Sequence, residues 1–264
     1  MKVFNNSPYF DNISKLISKL LNIELTDSIE NDDTYILFTV KDMKKIPKKY
    51  IVYNFEQLDT TNVLEQRFWD RIKNAIHIFD YSMVNVNYLH DIDISATFLP
   101  YGWNSTMLQT VKPYNERKNE ILFIGMMNDR RREILRDTYN YCATNDYNIY
   151  ITNDCWDSDY DRALRISKIG INIHYYEGHT ILEVHRIIPY ILNKIYVISE
   201  RSSDTYYDTL FNDMVTWMDE PLSNHVIKAQ NIENMEEILE YRKRKLVEKC
   251  STNHVIKKLM IPYL

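Results

Sequence analysis

Glycine is the first shortage. The chain has 264 residues and four glycines, at Gly102, Gly125, Gly170 and Gly178. Neither a G-x-G-x-x-G dinucleotide fingerprint nor a G-x-x-x-x-G-K-[ST] phosphate loop can be spelled with them. Any phosphate site must therefore rest on single glycines, a helix N-terminus and basic side chains. Cysteine is also scarce: Cys142, Cys155 and Cys250 form no C-x-x-C pair. A disulfide framework or zinc ribbon is not expected, and reduced thiols are. No apolar run approaches the roughly 20 residues needed to span a bilayer. Residues 1–12 hold no apolar stretch of the signal-peptide kind, so cytoplasmic localisation is expected (host cytoplasm for a viral protein).

Positive charge is in deficit too. Net charge is −5, with an isoelectric point near 5.8. A generic nucleic-acid binder is basic, so no nucleic-acid partner is expected. Tyrosine is abundant, at 21 residues. Together with the excess of Asn, Ile and Lys, it suggests AT-rich coding, as in a large virus, a parasite or an AT-rich bacterium.

Apolar runs alternate with helical patterns, which predicts an α/β protein with parallel sheets. A helix is expected over Ile13–Leu21, then strands over Tyr35–Val40, Tyr50–Phe55, Ile76–Tyr81 and Ala96–Leu99. A further helix is expected over Val63–Ala75. These strands read as continuous apolar runs, the mark of sheets buried on both faces. Residues 104–119 are polar and aperiodic and read as a linker between residues 1–103 and 120–231. In the second half, strands are expected at Ile121–Ile124, Tyr147–Thr152, Ile169–Tyr175 and Ile195–Ser199. Helices are expected at Asp129–Asn140, Tyr160–Ser167 and Thr180–Leu192. An amphipathic helix over Ile232–Cys250 opens a C-terminal segment, 232–264.

Ligands of open α/β sheets bind beyond the carboxyl ends of the strands. Three first-half loops meet that description: Asn54-Phe55-Glu56-Gln57, Asp80-Tyr81-Ser82 and Pro100-Tyr101-Gly102. Ordinary strand-ending turns use the same residue types. The densest stretch is Ile171-Asn172-Ile173-His174-Tyr175-Tyr176-Glu177-Gly178-His179-Thr180-Ile181-Leu182-Glu183-Val184-His185-Arg186. Gly178 permits a tight turn. Thr180-x-x-Glu183 spells a capping box, so Thr180 is the expected N-cap. The helix start offers N–H groups to an anion, and Glu183 offers a carboxylate to a vicinal diol. His174, Glu177, His179 and His185 are metal-ligand types, but H-E-x-x-H is absent.

These residues carry a resemblance. Glu177-Gly178, then Leu182-Glu183, then the strand Tyr196-Val197-Ile198-Ser199-Glu200 resemble the donor-sugar motif of GT-B glycosyltransferases. More closely, the stretch resembles a compact bacterial and giant-virus subgroup spelling N-I-H-Y-Y-E…L-E-x-x-R. Tyr53–Gln57, Phe79–Ser82 and Phe123–Gly125 with Arg130-Arg131 match that subgroup in order. The gap between Glu177 and Glu183 is shorter than in the larger family.

The resemblance implies two Rossmann-like lobes with the active site in the interdomain cleft and the C-terminal segment packing back toward the first lobe. It implies transfer of a sugar from a nucleotide-diphosphate donor to a glycan or lipid-linked acceptor, with retention of configuration and no metal or other cofactor. Gly125, Arg130, Arg131, His174, Tyr175, Gly178, Thr180, Glu183 and Arg186 are implied on the donor side. Glu56, Asp80 and Glu177 are the candidate catalytic groups. Two alternatives remain: a non-catalytic nucleotide- or glycan-binding module of the same fold, and a metal hydrolase using the histidines.

Overall fold

The computed structural model of the protein describes residues 1–30, 33–58 and 64–263. The chain divides into two compact units, residues 1–104 with 252–264, and residues 105–251.

The first unit holds strands β1 (Lys2–Phe4), β2 (Glu24–Thr26), β3 (Thr34–Leu37), β4 (Lys49–Asn54), β5 (His77–Asp80) and β6 (Thr97–Phe98). They form one parallel sheet in the order β2-β1-β3-β4-β5-β6. Helices α1 (Asp11–Leu21), α2 (Gln66–Lys73) and α3 (Met83–Asp91) connect its strands. Tyr50, Ile51, Val52 and Tyr53 are all buried, because helices cover both faces. Phe4, Tyr35, Val52, Phe68, Ile72 and Leu89 share one core cluster. Val63, where the α2 pattern begins in sequence, lies outside the described residues. The sequence pattern gave no warning of β1 and β2, which are three residues each, or of α3, whose N-cap is Ser82.

The second unit runs β7 (Asn119–Ile124), α4 (Asp129–Thr144), β8 (Ile149–Thr152), α5 (Asp157–Ile166), β9 (Ser167–Asn172), α6 (Val184–Leu192), β10 (Tyr196–Ser199), α7 (Thr205–Leu210), β11 (Thr216–Trp217), α8 (Leu222–Gln230) and α9 (Met235–Lys249). Its parallel sheet has the order β11-β10-β9-β7-β8. After β8 the chain returns to the other side of β7, so the order reverses between β7 and β9. Such a switch point leaves a crevice at the carboxyl ends of the two strands.

Two boundaries differ from those expected. Residues 105–119 are fastened to the second unit rather than free. The Arg117 guanidinium is buried and donates to the carbonyls of Ser167 (3.0 Å) and Lys194 (2.6 Å). A residue expected to lie in a linker is here a cross-link between strand starts. Helix α9 also stays with the second unit, because Met235 and Leu239 join the core cluster of Tyr196 and Leu222. The final helix α10 (Asn253–Met260) packs on α1 in the first unit. There Tyr263 stacks on His77 at 4.5 Å between ring centroids.

Candidate functional site

The residues of the long motif gather at the switch point of the second sheet. Strand β7 ends at Ile124, just before Gly125, and the chain leaves β9 through Ile173 and His174. Asn128 caps α4: its side-chain oxygen accepts from Arg131 N (2.9 Å), and its amide donates to the Tyr175 carbonyl (2.7 Å). The start of α4 is thereby tied to the exit of β9.

The three arginines differ in what they have left to offer. Arg131 is buried, donating from Nε and Nη2 to Ile173 O (3.0 and 2.6 Å) and from Nη1 to Met126 O (2.7 Å). Its guanidinium lies between the rings of Phe123 (5.3 Å) and Tyr175 (5.2 Å), which favours a cation. Burial, with Arg186 nearby, pushes its pKa down to about 10, so it stays charged at neutral pH. Arg130 grips Glu200 with both terminal nitrogens and also donates to the His174 carbonyl (2.9 Å). The Arg186 guanidinium makes one hydrogen bond among the described residues, from Nη1 to Asn172 Oδ1 (2.7 Å). It is nine-tenths buried, and its Nη2 lies where a side chain on Gly125 would begin. The third arginine of the sequence run, Arg132, sits on the exposed face of α4 with Asp129.

Glu183 stands opposite. Its Oε2 accepts from Asn172 Nδ2 (3.0 Å) and meets His174 Nδ1 (2.9 Å); its Oε1 is 3.5 Å from Arg131 Nη2. Burial favours the neutral acid, but His174, Arg186 and the Asn172 hydrogen bond outweigh it and hold the carboxyl well below its usual range. Neighbouring His185 goes the other way: burial and Arg186 push it down to about 3, so it is neutral.

The capping box expected from Thr180 does not form. Helix α6 begins at Val184, with Glu183 itself at the N-cap position and no side-chain cap bond. Thr180 is instead pinned to the loop after β10. Its N–H donates to Ser203 Oγ (3.2 Å), and its carbonyl accepts from Ser203 N (2.9 Å). Released from capping, the Glu183 carboxylate turns to His174 and Asn172. Gly178 has φ +81°, in the left-handed region, with open space around it. Glu177 is largely exposed, its carboxylate 3.8 Å from Arg130 Nε.

In the first unit, Asp80 is fully buried. Its carboxylate accepts from Asn54 Nδ2 (2.7 Å), Asn85 Nδ2 (3.0 and 3.1 Å) and Ser82 N (2.8 Å). The amides of Asn54 and Asn85 also hold the Glu56 carbonyl. Asp80 thus fixes the loop after β4, and its oxygens face no solvent. Glu56 is partly exposed; Thr39 Oγ1 donates to its Oε1 (3.2 Å), and Lys41 lies 3.5 Å from its Oε2.

Asn128, Asn172 and Glu200 complete the second-unit site but are not among the site residues expected from sequence. The signals were faint: an asparagine three residues before Arg131, and a Ser-Glu pair closing a strand. Among the described residues, the group with metal-ligand spacing is Asp219 and Glu220, between β11 and α8, with His225 on α8 itself. Lys228 ion-pairs with Glu220 there. His174, His179 and His185 are not part of it.

No family model matches the chain, and a search of the curated proteins finds no match. Solved structures do match in fold. WaaG, a glycosyltransferase involved in lipopolysaccharide biosynthesis, aligns at a TM-score of 0.58 and 10% identity, covering 98% of this chain and 99% of WaaG. TarM, also solved from S. aureus, aligns at 0.57 and 13% identity over 94% of this chain. This chain spans only 57% of TarM's length. Anabaena HepE, in complex with UDP and glucose, aligns at 0.57 and 9% identity, covering 99% of this chain and 77% of HepE. The class is therefore defined by architecture: two α/β units with parallel sheets, the GT-B fold of glycosyltransferases.

Proposed function

We propose that the protein is a glycosyltransferase whose second unit binds a nucleotide-diphosphate sugar. One observation carries the reading: at the β7/β9 switch point, the buried fork of Arg186 lies against Gly125, with the Glu183 carboxylate close by. Gly125 keeps the backbone accessible, Arg186 offers a bidentate fork to phosphate, and Glu183 Oε1 offers an acceptor to the ribose diol. The UDP complex of HepE, a protein of the same fold, supports the donor class.

In the transfer, the bond from the anomeric carbon to the diphosphate oxygen breaks, and its electron pair leaves with the diphosphate. The acceptor hydroxyl oxygen bonds to that carbon on the face the diphosphate leaves, and its proton passes to the departing diphosphate oxygen. The growing negative charge needs fixed positive charge, which Arg186 supplies with Arg131 behind it. In this reading no metal is required. Arg130, already neutralised by Glu200, orders the His174 turn rather than meeting phosphate. A glycan or lipid-linked acceptor, with Glu56 as the accessible carboxylate, and retention of configuration rest on the family resemblance.

The rival reading, a non-catalytic binding module, has one observation in its favour: the Asp80 carboxylate is sealed. Turnover separates the two. The first test is a thermal-shift and calorimetric screen with UDP-, GDP- and TDP-sugars, because binders stabilise by mass action. We expect binding by at least one of them, weakened about tenfold or more in Arg186→Ala. No binding to any donor would overturn the reading.

A further inference from the structure

His174 is 3% exposed and bonded at both ring nitrogens. Nδ1 is 2.9 Å from Glu183 Oε2, and Nε2 is 2.9 Å from the carbonyl oxygen of Arg201. Both partners are acceptors. A neutral imidazole has one bare nitrogen, which would face a carbonyl or carboxylate oxygen lone pair to lone pair. A proton on Glu183 would relieve that conflict, but the same Oε2 already accepts from Asn172 and the carboxyl is held low.

We propose that His174 is a positioning residue, a buried imidazolium that donates to Glu183 and to the Arg201 carbonyl together, so that Glu183 presents Oε1 to the ribose. The inference rests on the reading of Glu183 as the ribose acceptor. It gives His174 a role away from direct donor contact, with both of its nitrogens spent inside the protein. Every element around it contributes. Glu183 comes from the start of α6, and Asn172 holds the same oxygen from the end of β9. Beyond β10, Glu200 accepts from the His174 backbone N–H (2.8 Å), and the Arg201 carbonyl closes the other side. From α4, Arg130 bonds the His174 carbonyl and Arg131 reaches Glu183 Oε1. Arg186 adds its charge from α6. Burial disfavours the imidazolium, but Glu183 first and then Glu200 raise its pKa above the ordinary value.

The same ring joins two loops. The turn carrying Gly178 and Thr180 is bonded to Ser203, two residues after Arg201. Losing the second proton would release either Glu183 or the Arg201 loop.

The test has two arms. In the first, nitrogen-15 spectra of the wild-type protein at neutral pH should show His174 protonated at both ring nitrogens. A ring with one bare nitrogen would overturn the proposal without any variant. In the second, calorimetry compares UDP and GDP with their 2′,3′-dideoxy analogues. We expect the wild type to prefer one ribonucleotide about tenfold or more over its dideoxy form, and Glu183→Ala to erase that preference. His174→Gln should cut the preference to less than about threefold while the dideoxy form binds as before. A wild type without any preference would sink the reading of Glu183. A preference lost in Glu183→Ala but intact in His174→Gln would sink the role of His174 alone.

Discussion

A methyl group added to Gly125 would stand 2.7 Å from Nη2 of Arg186. Arg131 Nη1 would lie at 3.3 Å. The Arg186 atom is the far end of a long side chain, so it can move aside. Gly125→Ala should therefore keep the fold but displace the guanidinium. We expect a melting temperature close to wild type and UDP or GDP affinity weakened about tenfold. A variant that binds as well as wild type would detach Gly125 and Arg186 from the phosphate site.

Gly170 meets a different neighbour. A methyl there would run into Cδ2 of Tyr190 and stand 2.8 Å from its Cε2. Tyr190 is a rigid ring, fully buried on α6. Gly170→Ala should cost about 1–3 kcal/mol in urea unfolding through overpacking. Shrinking the partner in Gly170→Ala/Tyr190→Leu should cost less than the sum of the two single changes.

Asp80→Ala tests whether that carboxylate is structural. It would leave the buried amides of Asn54 and Asn85 only the Glu56 carbonyl as acceptor and would strip the Ser82 N–H of its carboxylate partner, at about 1–3 kcal/mol for each group left unsatisfied. All the proposed donor-binding residues belong to the second unit. The expected outcome is lower stability with unchanged nucleotide affinity. Full stability with lost turnover would instead make Asp80 a catalytic group.

The buried pair sets a pH dependence whose sign follows from linkage. His174 has a raised pKa, so its contribution is complete below the ordinary value of 6.5 and is lost as pH rises through the raised one. Glu183 is depressed, so its contribution is present above the ordinary value of 4.5 and is lost as pH falls through the lowered one. His185, held neutral down to about 3, destabilises the fold as pH falls beneath 6.5. Comparison with His174→Gln removes that background. The excess melting temperature of wild type over this variant should be largest between 4.5 and 6.5 and shrink on the alkaline side. An excess that stays constant as pH rises past 6.5 through the raised value would mean that His174 does not titrate.

The sequence made the second sheet legible because Ile121–Ile124 and Ile195–Ser199 are unbroken apolar runs flanked by turn residues. The clustering of Gly125, Arg130, Arg131, His174 and Glu183 was legible because strand ends of one parallel sheet share an edge. The helix start was not. Thr180-x-x-Glu183 is a sound capping spelling, but Ser203, distant in sequence, takes both backbone groups of Thr180. Nor could a run of three arginines reveal that Arg130 and Arg131 spend their forks on Glu200 and on backbone carbonyls, leaving Arg186. The burial of Asp80 was hidden for the same reason: Asn85 reaches it from a helix that the sequence pattern did not announce.

Release of free nucleoside diphosphate from UDP-, GDP- and TDP-sugars, measured for wild type and Arg186→Ala, tests the central claim most directly. Release from at least one donor is expected, by hydrolysis or transfer, with a loss of about tenfold or more in the variant. No release from any donor, or equal rates in both proteins, would contradict it.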